Sequence, residues 1–462
     1  MTIDEIMGKS FGDALTILTE DPKGKDDNIA ENTELYDGDH PILHDVNRAT
    51  KTVGDDPKTQ RVVTHAKEVI HFQQRIVNSA VTFLFGEPVT LILNDESKKA
   101  FEAISALWKQ NKLNYFNKSM ARDLFIETKA AEFWYAVKKP GEPARIRVAL
   151  LSNRTGYKIY PHYDEFGDMD AFTISYETKD ENSKPVETVN VYTAEKIYQS
   201  TRKQSAEWIT VDRPNLIGKI PVVYVEQPRP EWDIVKTQIP RAEELISNFA
   251  DTNDYFASPV MQVKGVVENL PKKEETGKVV VVRGEEDATG AVTYPGGIEF
   301  VTWDQGPEAI ETEYKILKDI VYSMSQTPDL SFSNVKGMTD ISGVAIRLMF
   351  SDALFKAKDK QEIFGPAIER RLTIMKALIA TTNVSLKSEL DKVDIDIMFN
   401  DVLPQDVLAL MTGLSTARAG EPIISMDTAV NLNPLVEDAE TEVNRLESEK
   451  NTLTSLAGSY GV

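Results

Sequence analysis

The sequence predicts an α+β protein of several domains, and three observations support that fold class. From Ala131 to Val225 apolar and polar residues alternate between Gly, Pro and Asp turns, which is typical of antiparallel strands. Helical spacing of apolar residues precedes and follows this block, and the longest such stretch runs from Ser342 to Ala380. A chain of 462 residues is long enough for about three domains.

The first part of the chain predicts an arm followed by helices and a strand. The first ~60 residues are polar and rich in turn formers, and they indicate an extended arm with one short helix at Ile6–Thr19. Apolar spacing next predicts a helix at Thr64–Gly86, ended by Gly86 and Pro88, and then a strand at Val89–Leu93. Two further helices are expected at Glu96–Gln110 and Leu113–Lys129, packed against the antiparallel block.

After the antiparallel block, two helices of similar length enclose a small β segment. They begin near Pro240 and Pro307, and proline is well placed in the first turn of a helix. Short strands are predicted between them at Val260–Val267, Lys278–Arg283 and Ile298–Trp303. Both helices carry only thin apolar stripes, so we expect them to pack on partner subunits. This pattern predicts a stem with a protruding tip.

A polar loop, Gln326–Ile341, then leads into the long helix, with Ser342 at the N-cap position. Gly365 and Pro366 in the middle of this helix remove an amide donor and predict a kink or hinge. The chain from Asp391 onward is acidic, and its spacing indicates three more helical pieces. They are expected at Pro404–Arg418, Ser425–Leu432 and Glu437–Ser455.

Composition excludes several classes of protein. The net charge is −21, whereas proteins that grip nucleic acid through its phosphates need an excess of Lys and Arg. A channel in which a polyanion must slide is still compatible with acidic walls. Cysteine is absent, so disulfides and thiolate metal sites are excluded and intracellular folding is expected. We also expect neither a signal peptide nor a membrane-spanning helix.

No motif in the sequence specifies catalysis, so we expect no enzyme activity, cofactor or metal. Gly8-Lys9-Ser10 lacks the glycine that a phosphate-binding loop needs, because Ile3 stands at that position, and neither HExxH nor GxSxG occurs. His40 and His44 are four residues apart, so they could bind a metal ion together or could both be solvated loop histidines. The intervening Pro41 favours solvated histidines. Asp251 begins a calcium-loop-like run, but Phe256 stands where that loop needs glycine.

Several segments, in order along the chain, resemble the portal proteins of tailed bacteriophages of the siphovirus type. They are Gly38–Leu43 (GDHPIL), Ile76–Val89 (IVNSAVTFLFGEPV), Ser325–Asp329 (SQTPD), Ser342–Arg347 (SGVAIR), Asn400–Asp406 (NDVLPQD), Pro422–Ser425 (PIIS) and Pro434–Glu440 (PLVEDAE). The match of Ile76–Val89 to the helix-to-strand element of the family is the most specific. The shared order carries more weight than any single motif.

The resemblance implies a portal fold with named regions. They are a wing over 1–238, stem helices at 239–258 and 307–325, a clip over 259–306, a tunnel loop over 326–341, a long helix over 342–382 and a crown over 383–462. Members form closed rings, twelve-fold in the virion, at one capsid vertex. The ring passes double-stranded viral DNA during packaging and ejection. Its partners are capsid or scaffolding protein, the large terminase subunit and a head-to-tail adaptor, and it is assembled in the host cytoplasm without a membrane.

The resemblance also implies candidate site residues. Those facing the DNA channel are Ser331, Ser333, Asn334, Lys336, Gly337 and Thr339; those of the clip that bind partners are Lys272, Lys273, Glu274 and Glu275; the hinge is Gly365 and Pro366. Lys336 is the only basic residue of the loop. It either faces the DNA phosphates, forms a salt bridge to a neighbouring subunit, or is simply solvated. A different ring-forming tail or baseplate protein without a DNA channel stays open as the alternative.

Overall fold

The structure is a computed structural model that describes most of the chain. The described residues are 2–20, 26–53, 61–142, 144–203, 206–256, 260–269, 280–286, 289, 292–294, 296–301, 306–330, 343–403, 407–433, 435–436 and 441–450. Helices and strands are both abundant, which confirms the α+β prediction. The chain divides into two compact units, one of Met1–Asp329 with Asp352–Asp401 and the other of Leu330–Ser351 with Val402–Val462.

The main core of the first unit lies between helices and a three-stranded sheet. The predicted helices are found as α4, α5 and α6, and the sheet has the order β11-β4-β5 with antiparallel pairing. These elements are α4 (Phe72–Phe85), α5 (Lys98–Gln110), α6 (Leu113–Glu127), β4 (Lys129–Val137), β5 (Arg145–Leu151) and β11 (Val222–Glu226). Ile76, Leu84 and Trp134 are fully buried there because they occupy the inward positions of α4 and β4.

A second sheet carries the rest of the antiparallel block, and residues of both sheets share one buried cluster. Its five strands run in the order β10-β9-β8-β7-β6. They are β6 (Lys158–Tyr163), β7 (Met169–Lys179), β8 (Pro185–Thr193), β9 (Lys196–Lys203) and β10 (Ile209–Pro214). Two short strands near the start of the chain, β1 (Lys51–Val53) and β2 (Arg61–Val63), form a separate antiparallel pair.

The first residues of the chain are not an extended arm with one helix. Three helices occur there, α1 (Ile3–Met7), α2 (Phe11–Leu18) and α3 (Asp26–Asp37). Ile6, Ala14 and Leu18 are buried against Ala171, Val189 and Val191 of the five-stranded sheet. The amphipathic spacing of α1 and α2 therefore serves to cover one face of that sheet.

The predicted strand after α4 is present as β3 (Thr90–Leu93), and its partner comes from the far end of the unit. β18 (Ile395–Met398) pairs with it antiparallel, with Leu93 opposite Ile395. Residues 383–401, which the resemblance places in the crown, belong to the first unit. This unit also contains a short helix, α11 (Lys387–Leu390).

Two helices of equal length enclose a small β segment, as the sequence predicts. Helices α7 (Gln238–Phe256) and α8 (Gly306–Met324) flank a series of short antiparallel pairs. These pairs join β12 (Val260–Lys264) to β17 (Gly297–Val301), β13 (Val266–Asn269) to β14 (Val281–Arg283), and β15 (Glu285–Glu286) to β16 (Val292–Tyr294). Gly265 permits the bend between β12 and β13. Its φ is +111°, and a Cβ there would lie 2.6 Å from the Arg283 carbonyl oxygen.

The single long helix predicted from Ser342 is two helices in the structure. They are α9 (Gly343–Met349) and α10 (Ser351–Thr382), and Phe350 forms a turn between them. In the second unit the structure also describes α12 (Val407–Arg418), α13 (Met426–Asn431) and a helix over 441–450. None of the helices in the described ranges is long and apolar enough to cross a membrane.

Candidate functional site: the stem and the base of the channel loop

The second stem helix ends in a hydrogen-bonded motif immediately before the predicted channel loop. The Thr327 amide donates to the Tyr322 carbonyl at 2.9 Å, and the Gln326 amide donates to the Ser323 carbonyl at 3.1 Å. Gln326 takes the left-handed conformation, with φ of 51°. This is the Schellman pattern, in which two terminal carbonyls of the helix are satisfied. The sequence Ser-Gln-Thr-Pro thus ends α8 in one defined direction, and Pro328 cannot continue the helix.

An ion pair holds Asp329, near the start of the predicted loop, beside the same helix. The Lys318 ammonium lies 2.7 Å from the Asp329 carboxylate and 5.7 Å from the centre of the Tyr322 ring. The hydrogen bond to Asp329 raises the pKa of Lys318 above its usual value. Asp329 is therefore placed beside the last turns of α8, and this contact fixes where the chain leaves the stem.

A buried ionic cluster joins the end of α8 to the first turns of α10. The Glu231 carboxylate accepts from Lys356 at 2.9 Å and from Lys360 at 2.8 Å. The Lys356 ammonium also donates to the Ser325 carbonyl at 2.8 Å. Lys360 donates further to the side chain of Gln227 at 3.0 Å. We call Glu231, Lys356 and Lys360 the clasp, because they connect residues that lie just before and after the predicted loop.

The ionisation of the clasp follows from its burial and its two cations. Burial opposes the charged form of Glu231, but Lys356 and Lys360 outweigh it, and the pKa of Glu231 lies below its usual value. Burial also lowers the pKa of Lys356, because the ammonium loses water, and Glu231 only partly restores it. The clasp therefore holds together only while the Glu231 carboxylate is ionised and opposes the two lysine charges.

The predicted hinge lies inside α10, which continues through Gly365 and Pro366 as a helix. Pro366 has no amide hydrogen, so the carbonyl of Glu362 lacks its intrahelical donor. Phe364, just before the pair, is buried, and its ring packs edge-on against Phe85 at 5.0 Å between ring centres. A hinge role for Gly365 and Pro366 stays a prediction.

The second half of α10 is fixed to the core of the first unit by a buried arginine. Arg371 is 1% exposed, and its Nε and Nη2 both donate to the Glu132 carboxylate, Nε at 3.0 and 2.9 Å and Nη2 at 2.8 Å. Its Nη1 donates to the Asn117 side chain at 2.6 Å, and the guanidinium lies 5.2 Å from the centre of the Trp108 ring. This bidentate pair anchors α10 beyond the hinge, as the clasp anchors it before the hinge.

The first stem helix is bound to an extended segment near the start of the chain. Three polar residues of α7, spaced four apart, accept from alternate backbone amides: Glu243 from Ile70, Ser247 from Glu68, and Asp251 from Ala66. Four residues of a helix rise about 6 Å, and two residues of an extended chain span about 6.6 Å, so the two repeats match. The prediction of a helix from Thr64 was wrong for this reason: α4 begins only at Phe72.

The two histidines of the GDHPIL segment have separate carboxylate partners and do not form a metal pair. His40 is 1% exposed; its Nδ1 lies 2.5 Å from Glu243, and its Nε2 lies 2.8 Å from the Leu35 carbonyl. Both partners are acceptors, so the ring donates from both nitrogens and is an imidazolium. Burial lowers the pKa of His40, but Glu243 outweighs burial and the pKa is raised. The expectation of a solvated histidine was wrong for His40, whereas His44 is exposed beside Asp39.

Gly38 and Asp251 also acquire structural roles at this junction. Gly38 has φ of +97°, and a Cβ there would lie 2.5 Å from the His71 ring, so the motif requires glycine. Asp251, which begins the calcium-like run, lies in helix α7 and pairs with the Arg48 guanidinium at 2.9 Å. The described residues hold no group of three or more His, Cys, Asp or Glu side chains placed for a metal ion.

Two apolar side chains of α8 are exposed, although others on the same helix pack towards the core. Tyr314, Leu317 and Val321 pack towards the core, whereas Ile316 and Met324 are more than half exposed, at 53% and 55%. Arg241 of α7 joins the two stem helices through Glu313 at 2.8 Å. This exposed pair contributes little to stability.

The predicted site residues divide into two groups. The channel-loop residues Ser331, Ser333, Asn334, Lys336, Gly337 and Thr339 and the clip residues Lys272, Lys273, Glu274 and Glu275 lie outside the described residues. Gly365 and Pro366 lie within them. Sequence reasoning missed the clasp, although Lys356, at an inward position between the buried Ala353 and Ala357, was the available signal.

Comparisons with known proteins give one family. Residues 19–455 match the family described as phage portal protein, SPP1 Gp6-like. No curated protein matches the chain. Among solved structures, a chain from the virion of a native gene transfer agent particle is 12% identical with a TM-score of 0.37, covering 88% of this chain and 93% of that one. A likeness at that TM-score supports no conclusion about this chain.

Proposed function

Because its residues 19–455 match the family model, this chain belongs to the SPP1 Gp6-like phage portal proteins, and we propose that it forms the DNA channel at a single vertex of a capsid. The family is one of virion proteins that assemble as rings in phage heads. In this proposal a ring of this chain, a dodecamer in the virion, admits viral DNA during packaging and releases it during ejection. The family match is the observation that carries the proposal.

The channel loop acts as a weak contact with the moving duplex. We assign the narrowest part of the channel to 326–341, where Lys336 is the only base. A chain with net charge −21 repels phosphates, so the duplex slides instead of binding tightly. The Schellman end of α8, the Lys318–Asp329 pair and the clasp support this role, because they hold the stem end of the loop in one place.

The stem and tip divide the remaining contacts. Helices α7 and α8 line the channel, and the exposed side chains of Ile316 and Met324 pack on the adjacent copy, because they are uncovered in the single chain. The clip, 259–306, docks the large terminase subunit during packaging and the head-to-tail adaptor afterwards. The wing contacts capsid or scaffolding protein, and the crown begins after Asp401, where the second unit resumes.

Electron microscopy of the purified protein tests the proposal directly. Closed rings with an open central channel, in addition to incorporation at one capsid vertex and dependence of DNA packaging on the protein, are expected. The competing function is a ring-forming tail or baseplate protein without a DNA channel. A ring found only in tails, or heads that fill with DNA when the protein is absent, would refute the portal assignment.

The loop assignment has a separate test in Lys336. If Lys336 faces the open channel as proposed, replacement by Glu should leave rings and capsids unchanged, since a charge in contact with solvent affects stability by only a few tenths of a kcal/mol. It should alter the length of DNA packaged or its leakage from filled heads at low salt, and less so at high salt. Lys336→Ala separates loss of attraction from added repulsion. If both variants package and retain DNA like the parent at every salt concentration, Lys336 contacts a neighbouring subunit or solvent instead.

A further inference from the structure

A hollow of ≈ 470 Å³ with a basic rim lies beside the second half of α10. Lys219, Lys376 and Lys387 line it, and Asp391 is the only acid among the described residues that do so. We call this feature the basic hollow. The whole chain has 73 acidic and 52 basic residues, so a cluster of three lysines around one aspartate runs against the overall charge. Such a local reversal of charge needs a physical reason.

None of the three lysines forms an ion pair with a carboxylate among the described residues. Lys376 donates to the Val393 carbonyl at 2.7 Å, which fixes it at the edge of the hollow. Lys219 and Lys387 have no described polar partner for their side chains, and both residues are exposed. Their charge is therefore available to a partner at little cost, because no existing pair must be broken.

The lip of the hollow is apolar and held by a well-bonded turn. Leu216 is 84% exposed at this lip, next to Ile217. The Asn215 side chain donates to the Lys219 carbonyl at 2.9 Å and to the Thr193 carbonyl at 2.8 Å, and it accepts from the Ile217 amide at 3.2 Å. An exposed leucine on a turn bonded in this way is pre-organised for binding, since little conformational entropy is lost on contact.

We propose that the basic hollow binds an acidic surface segment of a second copy of this chain. Neighbours in a cyclic ring meet through two different surfaces, so a basic face on one copy meets another face of the next. Each copy carries a net charge of −21, and close approach is repulsive unless unlike charges are placed opposite each other. The apolar lip favours a protein surface over bare phosphates.

The inference rests on the proposed ring and names one contact within it. The test pairs two double variants with the same change in charge. Lys219→Glu with Lys387→Glu reverses the hollow, whereas Lys109→Glu with Lys139→Glu changes two exposed lysines elsewhere. Native mass spectrometry and sedimentation across protein concentrations at low and high salt report ring formation. Thermal unfolding of each variant reports that the chain is folded.

The hollow variant should need about tenfold more protein for half-maximal ring formation at low salt, which corresponds to about 1.4 kcal/mol. This difference should shrink in high salt because the contact is screened. The control variant should assemble like the parent. Lys219→Ala with Lys387→Ala should weaken assembly in the same direction but less, which supports the inference independently of added repulsion.

Three results would overturn the inference. If the parent forms rings and both double variants assemble equally well, the hollow is not a contact between copies, and the proposed function is untouched. If the hollow variant keeps its rings but loses affinity for a short DNA duplex, the hollow binds phosphates instead. If the parent forms no ring under any condition, the proposed function fails together with the inference.

Discussion

Replacing Glu231 by Gln should destabilise the first unit by removing the only carboxylate of the clasp. The Glu231 side chain is 5% exposed and that of Lys356 is 9% exposed. Glutamine keeps the size but leaves a buried ammonium without an anion. Breaking a buried pair in this way costs about 3–5 kcal/mol. Lys360 is more exposed, at 18%, and can turn to water, so the loss should lie near the lower bound, about 3 kcal/mol.

The defect should also depend on pH in a definite direction. Burial holds the pKa of Lys356 below its usual value, and loss of Glu231 lowers it further. A lysine whose pKa is lower in the folded state than in the unfolded state reduces the free energy of unfolding at any pH at which the buried side chain is protonated. That cost is present at neutral pH and falls as pH rises towards the pKa of the unfolded chain. The difference between Glu231→Gln and the parent should therefore shrink as the pH approaches about 10.4, the usual pKa of lysine.

The measurement is denaturant unfolding, combined with hydrogen exchange of the Ser325–Thr327 amides. Glu362→Gln is the matched control, because it makes the same chemical change at an exposed position of α10, the helix that carries Lys356 and Lys360. The control should stay within about 0.5 kcal/mol of the parent. If Glu231→Gln and Glu362→Gln unfold at the same denaturant concentration and exchange alike, the clasp does not hold the base of the loop.

Three further predictions address the end of α8, a buried acid and the tip. Gln326→Gly should raise the free energy of unfolding by about 0.5 kcal/mol, because glycine removes the Cβ penalty of the left-handed conformation; Gln326→Val should lower it, and thermal melts of the three proteins decide. Burial raises the pKa of Glu127 from 4.5 to about 7. Its contribution to the free energy of unfolding is therefore complete below pH 4.5 and is lost as the pH rises through 7. The loss should reach about 3 kcal/mol. Glu127→Gln should abolish that slope in melts between pH 5 and 8, and an unchanged slope would exclude Glu127 as its source. Deleting Lys272–Gly277 should leave rings intact and impair terminase binding in a pull-down, and normal packaging would contradict the clip assignment.

The sequence by itself determined the elements whose signals are local. The stem helices, expected at Pro240–Ser258 and Pro307–Ser325, are found within two residues of those bounds. The end of α8 is equally local, because the carbonyls that Gln326 and Thr327 satisfy lie within the preceding turn. Helical spacing, proline in the first turn and a terminating motif act over a few residues, so they can be recognised without knowing the rest of the chain.

The tertiary structure decided the elements whose partners are distant in sequence. Residues 64–70 have helical spacing, yet they stay extended because Glu243, Ser247 and Asp251 take the amides of Ile70, Glu68 and Ala66. The pairing of β3 with β18 and the clasp likewise join segments more than a hundred residues apart. No local pattern predicts such contacts. They stabilise the protein only after the chain has brought the distant segments together and their polar groups have lost contact with water.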